Sequence, residues 1–270
     1  MKPSILSLVL TLAVWPVLSV AQETKAPASA GAPPKPAPAP AAARVDDDPT
    51  MEKLKSLTPD QQEKVKKAIS EASAFVGGIR LQEALQRLGD AEVLAPDLFM
   101  VHNLRGAVFT KLRLFGRARE SFKKAQTLHP TSFHPKFNLA EIEFVEAADK
   151  ARNGDAEAAK AQFASAQKMF EALIPANPEI GTQRLMEFKV VICKLKQGLT
   201  EEAEKAVKAF SYIDDEPAYY LGHAAIEFNR GDKTAAQEWI DSANRIYAPQ
   251  QISIYMDSFI EIGWVETLAL

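Results

Sequence analysis

The chain has 270 residues, enough for about two ordinary domains. Its 47% hydrophobic and 25% charged content excludes disorder of the chain as a whole, and a net charge of −3 leaves no basic footprint for nucleic acid. Twelve glycines are few for an all-β protein, and one cysteine, Cys193, excludes an intrachain disulfide and any cysteine-based zinc site.

Met1 and Lys2 precede an apolar stretch from Ile5 to Val20, and Ser19-Val20-Ala21 places small residues where a signal peptidase reads them. The stretch is shorter than the roughly 20 residues of a bilayer span and lacks stop-transfer charges. Residues 1–21 are therefore expected to be a signal peptide, with the chain exported to the periplasm or secreted, and with no integral membrane span after cleavage.

Residues 22–49 read as an Ala/Pro-rich linker; within 26–43, nine Ala and six Pro fill fifteen of eighteen positions. Such a tract has few amides to donate and little side chain to bury, and favours polyproline conformations. A spacer is its plain role, and a Pro-rich ligand the alternative. Asp46-Asp47-Asp48-Pro49 marks the edge of the ordered part.

From residue 50 to 270 the pattern is helical. Thr58-Pro59-Asp60-Gln61 predicts a capped helix start, followed by Val65, Ala68, Ile69, Ala72 and Phe75 at helical spacing. Gly77-Gly78 stops that helix, and Leu81 to Leu94 is the next, ended by Pro96. Further stops fall at Pro130, Asn153-Gly154, Pro178, Gly198, Pro217, Gly231 and Pro249. No segment alternates as a strand does.

The helices repeat. Ala84, Leu88, Ala91 and Pro96 recur 34 residues later as Ala118, Phe122, Ala125 and Pro130, and Gly106 recurs as Ala140. Small residues at this spacing sit where paired helices cross closely, and aromatics such as Phe109 fill the space beside them. With this period of 34, the chain resembles the tetratricopeptide repeat (TPR) family over about residues 59–249. Ala166, Phe170, Leu173 and Pro178 repeat the second-helix pattern at a shift of 48, which implies about fourteen inserted residues across Asn153-Gly154. That amounts to roughly two extra turns on each helix of the third repeat. Its tip, Asp149 to Ala158, is expected to project without burying anything in the array. Ala203 and Ala236 mark the last two of five repeats. Ile252 to Val265 reads as the cap that closes the open apolar edge. The expected fold is all-α: a solenoid of antiparallel helix pairs with a capping helix.

Residues able to carry chemistry have ordinary structural readings. His129 and His134 flank proline turns at a repeat junction, with no nearby cysteine or carboxylate to complete a metal site. Cys193 lies in the apolar run Val190-Val191-Ile192-Cys193, as a buried inert thiol does. Glu141 and Glu143 point to different faces of one helix and form no obvious dyad. No phosphate loop or nucleophile elbow is present, so neither an enzyme nor a cofactor is expected.

The resemblance implies binding of a protein or peptide along the concave face lined by the first helix of each repeat. Its groove positions correspond to Asn103, Lys111, His134, Asn138, Glu141, Lys189, Lys196 and Asn229, with Phe137, Phe144, Phe188 and Phe228 as apolar contacts. The family's clamp for C-terminal carboxylates needs lysines and asparagines at set positions. Ala107 and Glu141 occupy two of these, so that ligand is not expected. The reading is a non-enzymatic interaction scaffold of the bacterial envelope. The alternatives are an assembly subunit of an envelope or secretion complex, or a helical-fold hydrolase with paired carboxylates.

Overall fold

The computed structural model describes residues 48–177, 179–213 and 216–266. The expected signal peptide, nearly all of the Ala/Pro-rich linker and the Pro178 stop lie outside the described residues. The described residues form twelve α-helices, beginning with α1 (Met51–Lys55), α2 (Pro59–Gly77), α3 (Leu81–Leu94), α4 (Phe99–Lys111), α5 (Phe115–Leu128) and α6 (His134–Arg152). The second half continues as α7 (Ala156–Leu173), α8 (Ile180–Gln197), α9 (Thr200–Lys208), α10 (Ala218–Arg230), α11 (Lys233–Asn244) and α12 (Pro249–Glu261). No strand occurs among the described residues. From α2 onward neighbours pack as five antiparallel pairs, α2/α3 through α10/α11, each pair stacked on the one before. Thr58 caps α2 as its sequence predicts: its hydroxyl accepts from the Gln61 amide, and the Gln61 side chain accepts from the Thr58 amide.

The repeat is visible in the backbone. Each first-to-second-helix turn contains one residue with left-handed φ: Ile79, Arg113, Gly154, Gly198 and Gly231. Five residues after each lies a buried alanine of the second helix: Ala84, Ala118, Ala159, Ala203 and Ala236. The turn and the small residue are thus one geometric unit, and even Ile79 and Arg113 are held in a conformation that disfavours side chains. Four residues further on, Leu88, Phe122, Phe163, Val207 and Ile240 fill the space between helices.

The third pair is the long one, with 19 and 18 residues in α6 and α7 against 13 and 14 in α4 and α5. Ala159 and Phe163 take the small–large positions counted from the turn. Ala166 and Phe170, seven residues later, repeat them counted from the helix end, and all four are buried. Seven residues are close to two turns, so the insertion keeps the same face toward α6.

As expected, none of residues 149–158 at the tip is buried, but the extension does more than project. Residues 151–157 are exposed, but Ala147, Ala148 and Ala159 of the added turns are buried. Arg152 pairs with Asp149 and donates to the Glu261 carbonyl, and Asp149 lies 3.9 Å from Arg113. The inner side of the extension therefore braces the end of α12.

At the close crossings the packing is tight. A Cβ on Gly106 would stand 2.6 Å from the Phe122 ring. Ala84, Ala118, Phe122, Ala125, Ala140, Ala166, Phe170, Ala203 and Ala236 are fully buried, while Phe109 packs partly buried against the same core.

Candidate functional site

The first helices α4, α6, α8 and α10 line the concave side, and α12 lies across it. It covers the last pair, as a cap does, and also runs on toward the middle of the solenoid. Its aromatic residues enter from one side: Phe188 on α8 meets Tyr255 at 5.1 Å and Phe259 at 5.5 Å, both edge-to-face. Phe228 on α10 meets Phe259 at 5.2 Å and stacks on Trp264 at 5.6 Å. The Lys196 ammonium stands 4.5 Å over the Trp264 ring, a cation–π contact. Tyr255 and Phe259 are completely buried, so burial of α12 contributes several side chains at roughly 1.5–3 kcal/mol each before entropic losses.

A line of charge runs along the same contact. Lys189 donates to Ser258 at 2.9 Å, pairs with Glu141 at 3.1 Å and lies 4.9 Å over the Phe144 ring, all of it buried. Arg113 donates to Glu261 at 2.9 Å. Burial pushes the Glu141 and Glu261 carboxyls above the usual range, opposed by Lys189 for the first and by Arg113 and Arg152 for the second. The cations on α4, α6 and α8 thus meet acids and a hydroxyl on α12.

The groove candidates separate into three groups. Lys111, Glu141 and Lys189 face α12 or form the buried pair beneath it, and Lys196 lies over Trp264 just past its end. Asn138 is buried and donates to Asn103 at 3.0 Å; Asn103 remains partly exposed in the N-terminal part of the groove, as does His134. Burial holds the His134 imidazole below its ordinary range, so it is neutral near pH 7. Asn229 is exposed at the end of α10. Phe137, Phe144, Phe188 and Phe228 are buried, between repeats or under α12. Glu143 pairs with Arg119 at 2.6 Å, away from Glu141. Cys193 is buried, and burial pushes its thiol up, so it is not a thiolate at neutral pH.

What the sequence reading missed is the occupant of the groove. The available signal was charge: Asp257 and Glu261, four apart on one helix, complement Lys111, Arg113 and Lys189.

Lys111 provides a test of that electrostatic picture. Burial lowers its pKa to about 8, with Asp257 and Glu261 opposing the shift. The folded state thus binds this proton less tightly than the unfolded chain, whose lysines titrate near ~10.4. Stability is expected to rise with pH between about 8 and ~10.4, and this rise should vanish in Lys111→Met. Melting curves of both proteins across that range check it; parallel profiles would refute it.

No family model matches the chain, and no curated protein matches it significantly. Among solved structures, a tetratricopeptide repeat protein from Parabacteroides merdae aligns over 78% of this chain and 78% of its own, with TM-score 0.53 at 14% identity. A thermophilic TPR protein of Thermus thermophilus aligns over 73% of this chain and 98% of its own, with TM-score 0.55 at 17% identity. With five helix pairs, the 34-residue spacing and these likenesses, the chain has the tetratricopeptide-repeat fold.

Proposed function

We propose that the chain is a non-enzymatic protein–protein interaction scaffold of the bacterial cell envelope, exported by its N-terminal leader. It takes a peptide segment of a partner protein in the N-terminal part of its concave groove. The observation that supports this most is the division of the groove. Its C-terminal part is covered by the chain's own α12, while Asn103, His134 and the exposed Met100 remain accessible beyond it. The Asn103 amide, whose oxygen accepts from the buried Asn138, keeps its NH2 to donate to the backbone of an extended peptide. A hydrolase reading is weakened because the groove carboxylates Glu141 and Glu261 are buried and held by Lys189 and Arg113, rather than facing an open cleft.

The test is capture from envelope extracts with the chain from Gln22 onward as bait. Asn103→Lys, at a partly exposed position, is expected to abolish capture of specific partners while moving the melting temperature by only a few degrees. An unchanged partner set would remove the groove as the binding site.

A further inference from the structure

The last repeat carries an aromatic surface that the groove does not use. Tyr212, Tyr219, Tyr220, His223, Trp239 and Tyr247 form one connected set, containing four of the five tyrosines of the chain. Tyr219 stands edge-on to Tyr212 at 6.0 Å, Tyr220 at 5.1 Å, His223 at 4.9 Å and Trp239 at 6.1 Å. His223 lies flat on Trp239, with centroids 4.4 Å apart and 15° between planes. Unlike the rings under α12, most of these are only partly buried. Tyr212 is 65% exposed and its neighbour Ile213 75%. Rows of partly exposed aromatic rings are the surfaces on which proteins hold polyproline II segments, because rigid prolines lose little entropy when they pack between rings.

We propose that this surface docks the Ala/Pro-rich tract of the same chain, residues 26–43. Two observations select that occupant. The first is its sequence: Pro33-Pro34-Lys35-Pro36 places prolines three apart, and a polyproline helix of three residues per turn presents Pro33 and Pro36 on one side. The second is where the tract begins. In this solenoid every loop from a second helix to the next first helix lies on one edge. Asp48 is fixed at that edge: it accepts from the Thr50 amide at 2.8 Å and hydroxyl at 2.7 Å, and lies 3.9 Å from His129 at the end of α5. Thr50 in turn accepts from the Phe99 amide at the start of α4. Tyr212 and Ile213 belong to the α9–α10 loop of the same edge. Four helix spacings of about 8–10 Å separate the two loops, at most about 40 Å. Eighteen residues at ~3.1 Å each span about 56 Å. The tract therefore reaches the aromatic surface without leaving its own molecule, and docking folds the leader-proximal segment back along the solenoid. The inference is independent of the groove reading.

Fluorine NMR of the chain from Gln22 onward, labelled with 5-fluorotryptophan, tests it. The resonances of Trp239 and Trp264 are assigned by Trp239→Phe and Trp264→Phe. Replacing the six prolines of 26–43 by serine is expected to move the Trp239 resonance and leave that of Trp264 in place. Adding a synthetic peptide of residues 26–43 to the substituted chain should return Trp239 toward its original position. An unmoved Trp239 resonance overturns the proposal. So does a difference between the two chains that fades on dilution, which would assign the surface to the tract of a second copy.

Discussion

Gly106→Leu is expected to destabilise the chain by about 3 kcal/mol or more, lowering the melting temperature by roughly 6–12 °C for a protein of this size. The Cβ alone would stand 2.6 Å from two atoms of the Phe122 ring, and Phe122 is fully buried with no space to retreat. Leucine adds three further carbons in the same direction. Its better helix propensity, about 1 kcal/mol over glycine, offsets only part of that overpacking. Gly89 on α3 supplies the contrast. A Cβ there meets nothing within 4 Å, so Gly89→Ala should stabilise by about 0.5–1 kcal/mol. Equal melting temperatures for wild type and Gly106→Leu would remove the close crossing of α4 and α5 from the repeat.

Lys189→Met is the second large effect. The ammonium sits between Glu141 and Ser258 with all three side chains buried, so its removal leaves a buried carboxylate uncompensated. A loss of about 3–5 kcal/mol is expected from breaking such a pair on one side. Lys189→Met combined with Glu141→Leu should recover most of it, since replacing both partners by apolar groups removes the desolvation cost of each. The sign of the pH dependence follows from Glu141. Burial already raises its pKa in the folded state, and loss of Lys189 removes the first opposing influence. The folded variant therefore prefers the protonated acid. Its deficit should be smallest below the unfolded value near ~4.3 and grow as pH rises above it. Urea melts at pH 4 and pH 7 read this directly. A deficit independent of pH, or persisting in the double variant, would mean that Lys189 acts through packing alone.

The solenoid was legible in the sequence because its demands are local. A helix crossing needs a small residue at a fixed place, so Ala84, Ala118, Ala203 and Ala236 recur on schedule, each ahead of a larger apolar residue. Glycine at Gly154, Gly198 and Gly231 announces the left-handed turn residue. Ile79 and Arg113 adopt the same φ without announcing it; only their distance from the following alanine places them. The lengthening of α6 and α7 was legible as a break in the period. Its bracing of α12 was not, because Arg152 and Glu261 are 109 residues apart and no local rule connects them.

The groove shows the same division. The concave positions were identified from the repeat, but their state depends on where α12 goes. A cap that only covers α11 and one that turns along the groove have similar apolar content. The difference lies in polar residues matched across the contact: Ser258 to Lys189, and Glu261 to Arg113. Long-range complementarity of that kind appears only once the chain is folded.

Amide hydrogen exchange along α12 in the chain from Gln22 onward decides whether the groove is filled in solution. With Tyr255, Ser258, Phe259 and Glu261 buried against α6, α8 and α10, the amides of 253–260 should exchange only with opening of the C-terminal repeats, at rates matching those of α8 and α10. Exchange of these amides orders of magnitude faster than in α8, with α8 and α10 still protected, would show α12 detached and the whole concave face open.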